Sequence, residues 1–297
     1  MSEAPRPRLA GKTGIGNLRS APQASSGLVL QQVAPSGKLR PYVQCYWQAR
    51  GQSAGEPTGV ELLHPDGGMG LLFNFGGALE RDGERLWGTC WADGPKRRTA
   101  RLAVDGTLDL LGVHFQPGMA YPFIGEALSS LAGEALTPGE ALRRLELEAL
   151  HERLLETPAL AGRIVLLENY LAERLQRHGA PEVPALRTSL AWLQRHQGQA
   201  SIAALVEELP FGQRRLERLF QHHVGLSPKR YARLLRVAHS RQLIKQGGAT
   251  ALLTDTAFVA GYFDQAHFIH DFKAVTGLTP GGYLDHVRRR YGREGQP

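Results

Sequence analysis

The sequence predicts an α+β protein. A β-rich N-terminal domain with trailing helices is followed by an all-α C-terminal domain of two helix-turn-helix units joined by a long helix. Apolar residues alternate or form short runs between turns from residue 28 to about 115, which is typical of strands. Helical periodicity begins near residue 137. A segment near residue 220 recurs 52 positions later, and an internal repeat fixes the architecture before single residues are interpreted.

Five N-terminal segments have the pattern of strands. They are residues 28–33, 42–48, 71–75, 98–104 and 108–115. The run His64-Pro65-Asp66-Gly67-Gly68 is a turn signal between two of them. A short helix is expected at 119–125.

Longer helices are predicted from Thr137-Pro138-Gly139-Glu140, which forms a cap and a first turn. Apolar stripes on residues 142–154 and 164–175 indicate faces packed in a core. A share in a dimer interface is the alternative for these stripes. Proline and glycine interrupt the pattern at 178–184 and predict a linker over 179–186.

The charge is divided unevenly along the chain. Residues 185–297 contain 16 Lys and Arg against 8 Asp and Glu, whereas residues 1–184 contain 19 against 20. A basic excess on the repeat-bearing half indicates a polyanionic partner, and a solvated basic face is the alternative.

Composition excludes several other classes of protein. The two cysteines are too few for a disulfide scaffold and fit a reducing compartment. The sequence contains no run of 18 apolar residues, so no membrane helix is predicted. Residues 1–27 lack the apolar region of a secretory signal and are predicted to be a disordered tail.

The two copies of the repeat share five residue types and one hydroxyl position at one spacing. Phe220, Gly225, Leu226, Ser227, Pro228 and Tyr231 correspond to Phe272, Gly277, Leu278, Thr279, Pro280 and Tyr283. In each copy the glycine is placed to end a helix, and the hydroxyl residue and proline are placed to begin the next. An apolar stretch and a tight turn precede each copy, so a helix-turn-helix unit is predicted twice, with a linker helix over 231–246.

Residues 187–290 resemble the DNA-binding domain of AraC-type transcription regulators. The matching residues of the first unit and linker helix are Leu216, Arg218, Phe220, Gly225, Leu226, Ser227, Pro228, Tyr231 and Arg236. Those of the second unit are Gly261, Tyr262, Asp264, Gln265, His267, Phe268, Phe272, Lys273, Gly277, Leu278, Thr279 and Pro280. The N-terminal half is similar, more weakly, to the sensor-type domains attached to such modules.

The resemblance implies a cytoplasmic, bacterial transcription regulator that binds double-stranded DNA. Its implied domains are a sensor or dimerisation domain at 28–178 and a DNA-binding domain at 187–290. The linker lies between them, and short tails occupy 1–27 and 291–297.

Two recognition helices are implied, 212–221 and 264–273, with exposed sides entering the major groove and apolar sides anchoring them. The implied base-reading residues are Arg214, Glu217, Arg218, Gln265, Ala266, His267 and His270. The implied phosphate contacts are Gln213, Arg215, Lys229, Arg230 and Lys273.

Some of these positions have alternatives. Solvated side chains or a Glu–Arg pair within the helix are the alternative for the first helix. Asp264 is expected to cap the second helix. His270 stands where the family commonly has arginine, so base reading there is expected to be looser or pH-sensitive. The small Ala266 suits a thymine methyl group or close backbone approach.

Aromatic residues in the N-terminal domain are numerous enough to line a small-molecule pocket, and equally to fill a core. They are Trp47, Phe73, Phe75, Trp87, Trp91 and Phe115. Control by a small effector is the favoured interpretation. The alternative is a constitutive DNA binder whose first domain only forms a homodimer or contacts RNA polymerase.

An N-terminal enzyme fused to a DNA-binding module is the least favoured class. His64, Asp66, His114 and the two cysteines do not follow the spacing of known zinc sites. We therefore predict no metal, no cofactor and no catalytic residue.

Overall fold

The computed structural model describes residues 29–52, 58–132, 145–179, 183–247 and 253–291. The predicted N-terminal tail and the Thr137–Glu140 cap lie outside these residues, and the predicted linker and C-terminal tail lie partly outside them. In the described segments, no helix is both long and apolar enough to cross a membrane.

Two antiparallel sheets form the N-terminal domain. Its strands are β1 Val29–Val33, β2 Val43–Gln52, β3 Thr58–Leu63, β4 Gly70–Asn74, β5 Ala78–Arg81, β6 Glu84–Leu86, β7 Cys90–Asp93, β8 Ala100–Asp105 and β9 Thr107–Phe115. One sheet has the order β1-β2-β9-β4-β7 and the other β3-β8-β5-β6. The α+β class predicted from the sequence is confirmed.

Side-chain alternation divides the five-stranded sheet between two apolar layers. Phe73 and Phe115 lie in a core on one face, while Leu72 and Leu110 lie in a second core on the other face. This is the period-two pattern of strands.

The five predicted strands are all present, with ends shifted by one to four residues. Four further strands, β3, β5, β6 and β7, were not predicted. The pair β5 and β6 is short and rich in charge, and all four residues of β7 are buried. Neither the charged β5–β6 pair nor the fully buried β7 shows the alternation of apolar and polar residues that identifies a strand in a sequence.

Three helices cover the core on the first face of the five-stranded sheet. They are α1 Tyr121–Ile124, α2 Leu147–Leu155 and α3 Leu160–His178. The buried faces of α2 and α3 contain Leu150, Leu154, Leu167 and Leu171, as the apolar stripes predict. A buried cation also joins these layers, since the Arg163 guanidinium lies 3.9 Å from the centre of the Phe75 ring and 3.3 Å from Asp109.

The C-terminal domain is a separate apolar cluster of seven helices among the described residues. They are α4 Pro184–Arg195, α5 Ile202–Glu207, α6 Gln213–His223, α7 Pro228–Gly247, α8 Leu253–Val259, α9 Gln265–Thr276 and α10 Pro280–Tyr291. The first helix-turn-helix unit is α5–α6 and the second is α8–α9. The linker helix α7 joins them and is longer at its N-terminal end than predicted.

The repeat has the same structural role in both copies. Gly225 and Gly277 follow their helices with φ angles of +75° and +78°, which glycine adopts at little steric cost. Ser227 and Thr279 then accept a hydrogen bond from a backbone amide three residues later, at 3.3 and 3.1 Å. The glycine stops and hydroxyl caps predicted from sequence are therefore present.

Candidate nucleic-acid interface

The first recognition helix, α6, has a buried apolar side and an exposed basic side. Leu216 and Phe220 are fully buried. Arg214 and Arg218 are exposed, and Glu217 between them is half-buried. The N-cap residue is Gly212, which makes no side-chain cap. The free amides of the first turn are therefore available for an anion such as a phosphate.

The second recognition helix, α9, is built on the same plan but starts differently. Phe268 and Phe272 are buried on its inner side. Asp264 is its N-cap and accepts a 2.7 Å hydrogen bond from the His267 amide, as predicted. Because its carboxylate occupies the end of the helix, that end attracts phosphate less than the start of α6 does.

A buried carboxylate ties α9 to the linker helix. The Asp271 side chain is 6% exposed and lies 2.5 Å from Arg233 and 3.3 Å from Arg236, both on α7. His267 lies 3.4 Å from the same carboxylate. His270 lies 3.3 Å from Arg233. Two of the four residues predicted to read bases from α9 are thus held in a network that fixes this helix on α7.

The other predicted DNA contacts lie at the surface of the C-terminal domain. Exposed among them are Gln213, Arg215, Lys229, Arg230, Gln265, Ala266 and Lys273. Arg215 also lies over the Phe211 ring, 5.0 Å from its centre. Their exposure permits contact with DNA, and their assignments stay predictions.

The C-terminal domain packs directly against the N-terminal domain. The Thr99 amide donates a 2.7 Å hydrogen bond to the Val275 carbonyl. Tyr121 contacts the rings of His222 and His223 at 4.6 and 5.1 Å between centres. These contacts involve the last residues of α6 and α9, so the N-terminal domain holds the ends of both recognition helices.

Two glycines permit close approach at this contact. A Cβ atom on Gly67 would lie 2.4 Å from the Tyr231 ring, and one on Gly225 would lie 2.6 Å from the Leu128 carbonyl. The equivalent position at Gly277 is open. Of the helix-ending glycines Gly225 and Gly277, Gly225 alone therefore lies against the N-terminal domain.

A cleft of about 580 Å³ lies between the two domains. The N-terminal domain contributes Trp47 and a polar corner at Asp66 and His114, whose side chains lie 2.8 Å apart. The linker helix contributes Arg241 and Lys245 among other residues. Burial alone would raise the pKa of Asp66, but the charge and hydrogen bond of His114, the Gly68 amide and Lys96 lower this pKa to about 2.

The six aromatic residues predicted to line one pocket are separated in the structure. Trp47 borders the cleft. Phe73 and Phe115 are fully buried in one core and Trp91 in the other. Phe75 stacks on His151, and Trp87 is 73% exposed. Five of the six are therefore not cleft residues: strand alternation directs Phe73, Phe115 and Trp91 into the two cores, and Phe75 and Trp87 lie just past the ends of strands.

Acidification from pH 7.5 to 5.5 is expected to weaken the contact between domains. Burial, and then the charges of Arg241, Lys245 and His286, lower the pKa of His64 to about 2. Burial and His222 lower the pKa of His223 to about 4. A histidine freed from the contact returns toward a pKa near 6.5, so the separated form binds more protons below that pH. The stabilisation is present above pH 6.5 and is lost as the pH falls toward these values, by up to about 1.4 kcal/mol per histidine at pH 5.5.

The protection factor of the Thr99 amide against hydrogen exchange measures this effect. His64→Gln can keep the 2.7 Å hydrogen bond to Thr99 without titrating, so it is expected to reduce the pH dependence. Equal protection at both pH values in the unmodified chain would contradict the expectation.

Two functional features were not predicted from the sequence. The role of Asp271 could have been predicted, since it lies on the apolar side of its helix beside Phe268 and Phe272. A charge buried there implies a partner of opposite charge. The cleft could not be recognised from local sequence, because its walls come from two separate stretches of the chain, 44–117 and 194–245. Within the described segments, no group of three His, Cys, Asp or Glu residues could hold a metal ion.

Two family models match this chain. The one described as a helix-turn-helix domain (HTH_18) matches residues 205–286. The one described as a domain of unknown function (DUF6597) matches residues 31–137. The first match runs from within α5 into α10, and the second runs from within β1 past the end of β9.

Similar proteins include helix-turn-helix regulators. An uncharacterized HTH-type transcriptional regulator of Haemophilus influenzae is 32% identical over 128 residues, which are 42% of each chain. The HTH-type transcriptional regulator GlxA of Rhizobium meliloti is 28% identical over 196 residues, 66% of this chain and 53% of GlxA. The chain thus spans about half the length of these relatives or less.

A crystal structure of ToxT from Vibrio cholerae O395 aligns with 77% of this chain and 94% of its own, at 11% identity and a TM-score of 0.42. The family assignment rests on the two family models and on the paired helix-turn-helix units described above, and not on this structural alignment. The chain therefore carries, in residues 205–286, the helix-turn-helix domain of AraC-type transcription regulators, behind a DUF6597 domain in residues 31–137.

Proposed function

We propose that the chain is a transcription regulator that binds duplex DNA sequence-specifically through α6 and α9. The observation that carries the proposal is a pair of similarly built helices, each with a polar exposed side, held by one linker helix. An α-helix fits the major groove, where exposed side chains reach base edges. Because α6 and α9 are held by the same linker helix, we expect them to bind one continuous DNA site and not two separate ones.

The spacing of the units supports this proposal. The linker helix α7 has 20 residues, which corresponds to a length of about 30 Å. Successive major grooves on one face of B-DNA are about 34 Å apart. One copy of the chain is therefore expected to read an asymmetric site with two parts about one turn apart.

Electrostatics favours α6 as the stronger contact with DNA. It exposes Arg214, Arg215 and Arg218 and has an N-terminus without a side-chain cap. Arginine can bond bidentately to guanine, and the free amides can hold a phosphate. The exposed side of α9 carries one lysine and two histidines near Asp271, so it is expected to contribute less affinity.

Replacing Arg218 by alanine is expected to reduce discrimination between preferred and random duplexes by 1–3 kcal/mol, about 5- to 150-fold. Lys273→Ala is the matched control, because Lys273 is also exposed but lies near the end of α9. Loss of a phosphate contact should weaken binding to both duplexes and reduce the salt slope by about 0.9. Fluorescence titration of both duplexes checks this, and equal losses for Arg218→Ala would contradict its role in base reading.

We further propose that a small effector binds in the interdomain cleft. Its volume of about 580 Å³ is in the range of small-molecule sites. Its lining combines Trp47 and several leucines with Lys96, Arg241 and Lys245 against Asp66 and Asp93. This composition suits a molecule with an apolar body and an anionic group.

An effector in this cleft would touch the linker helix and the N-terminal domain together. It can change DNA affinity only if it binds the packed and separated arrangements unequally. A tenfold change would require about 1.4 kcal/mol of coupling. Thermal-shift screening of small apolar acids, followed by DNA titration with each hit, tests this control.

The rival is constitutive binding, with the N-terminal domain forming a homodimer or contacting RNA polymerase. It predicts that compounds bound in the cleft leave DNA affinity unchanged. Light scattering across protein concentrations separates its dimer form from a monomer.

A further inference from the structure

The second helix-turn-helix unit exposes a phenylalanine directly before its recognition helix. Phe263 is 99% exposed and immediately precedes Asp264, the N-cap of α9. Burying a large apolar side chain is a main source of folding stability. Phe263 contributes almost none of that stability, so its presence at this position calls for another explanation.

The neighbours of Phe263 direct it outward. Tyr262 before it is buried and packs on Phe268, with 5.1 Å between ring centres. Asp264 after it is extended, with φ of −141°, and is held by its hydrogen bond to the His267 amide. Gly261 ends α8 with φ of +76°. The backbone of the turn is therefore fixed on both sides of Phe263, and the ring stands clear of the domain.

This position lies on the side of the unit that meets DNA in the proposed function. The N-terminal residues of a recognition helix are those that contact base edges in helix-turn-helix proteins. Gln265 and Ala266, the first residues of α9, are exposed beside Phe263. Phenylalanine lacks a hydrogen-bonding group, and its specific contact in the major groove is with the methyl group of thymine.

We infer that Phe263 reads a thymine methyl group in the part of the site bound by α9. The inference rests on the proposed function and adds a specificity-determining residue to it. On the same helix, His267 lies next to Asp271 and His270 next to Arg233. Because these histidines already have partners within the protein, Phe263 supplies a base contact that does not depend on them. Burial of one methyl group corresponds to about fourfold in affinity.

Replacing thymine by uracil tests this inference, because it removes only the methyl group and keeps the base pair. The full chain is titrated with its preferred duplex, obtained by selection from random sequences, and with duplexes carrying one uracil in place of each thymine. One position facing α9 should weaken binding by about fourfold. With Phe263→Ala this loss should disappear, because the partner of the methyl group is gone.

Phe258→Ala is the matched control. Phe258 is also strongly exposed, at 83%, but lies on α8, and its replacement should leave the uracil penalty unchanged. Far-ultraviolet circular dichroism should show that both variants fold.

The possible failures are distinguishable. Failure to select any preferred duplex would overturn the proposed function and this inference together. A preferred duplex whose uracil penalty persists in Phe263→Ala would overturn the inference alone and assign the methyl group to another residue, such as Ala266. A preferred duplex with no uracil penalty at any thymine would overturn it equally.

Discussion

Replacement of Asp271 by alanine is expected to lower the free energy of unfolding of the C-terminal domain by about 3 kcal/mol, because it removes one partner of a buried ion pair. The Asp271 carboxylate is the shared partner of Arg233 and Arg236. Without it, the two partly buried guanidinium groups of Arg233 and Arg236 repel each other with no carboxylate between them. Asp271→Asn keeps the shape and one acceptor oxygen and should cost less.

Urea unfolding of the full chain, followed by circular dichroism, measures this effect. Asp285→Ala is the control, since Asp285 also pairs with an arginine, Arg288, at 3.7 Å but is exposed. Exposed ion pairs contribute about 0–1 kcal/mol. A loss for Asp271→Ala no larger than that for Asp285→Ala would show that the buried network does not hold α9 on the linker helix.

Replacement of Gly67 by alanine is expected to separate the two domains. Gly67 has a φ of +84° and its Cβ would lie 2.4 Å from the ring of Tyr231, which is fully buried and cannot turn away freely. Such overpacking costs about 1–3 kcal/mol. The protection factor of the Thr99 amide, which donates across the contact, should fall by about 5- to 150-fold, the equivalent of that cost.

Gly83→Ala is the matched control for backbone strain. Gly83 has a similar φ of +87°, but a Cβ there meets nothing within 4 Å. The strain of a left-handed alanine is thus common to both variants, and only Gly67→Ala adds the clash with Tyr231. Equal Thr99 protection in the two variants would contradict the close approach at Gly67.

The C-terminal architecture could be predicted because its helix boundaries are set by local chemistry. Gly225 and Gly277 end helices with positive φ angles, and Ser227 and Thr279 begin the next ones. These requirements act over a few residues, so they are visible in the sequence. The 52-residue repeat then showed that the same unit occurs twice.

The interdomain cleft and the positions of the N-terminal aromatic residues could not be predicted in the same way. Whether Phe73 and Phe115 line a pocket or fill a core depends on how the strands pair and which face each residue takes, and both prove to be core. The cleft depends on contacts such as Gly67 with Tyr231 and Thr99 with Val275. Partners so distant in sequence leave no periodicity to read.

Selection of the full chain against a library of random duplexes, with hydroxyl-radical footprinting of the enriched sequences, tests sequence-specific binding most directly. We expect one preferred asymmetric sequence with two protected blocks, centred about 10–10.5 base pairs apart because two helices enter successive major grooves. Enrichment of no sequence over random duplex, with binding that depends on salt alone, would contradict the proposed function.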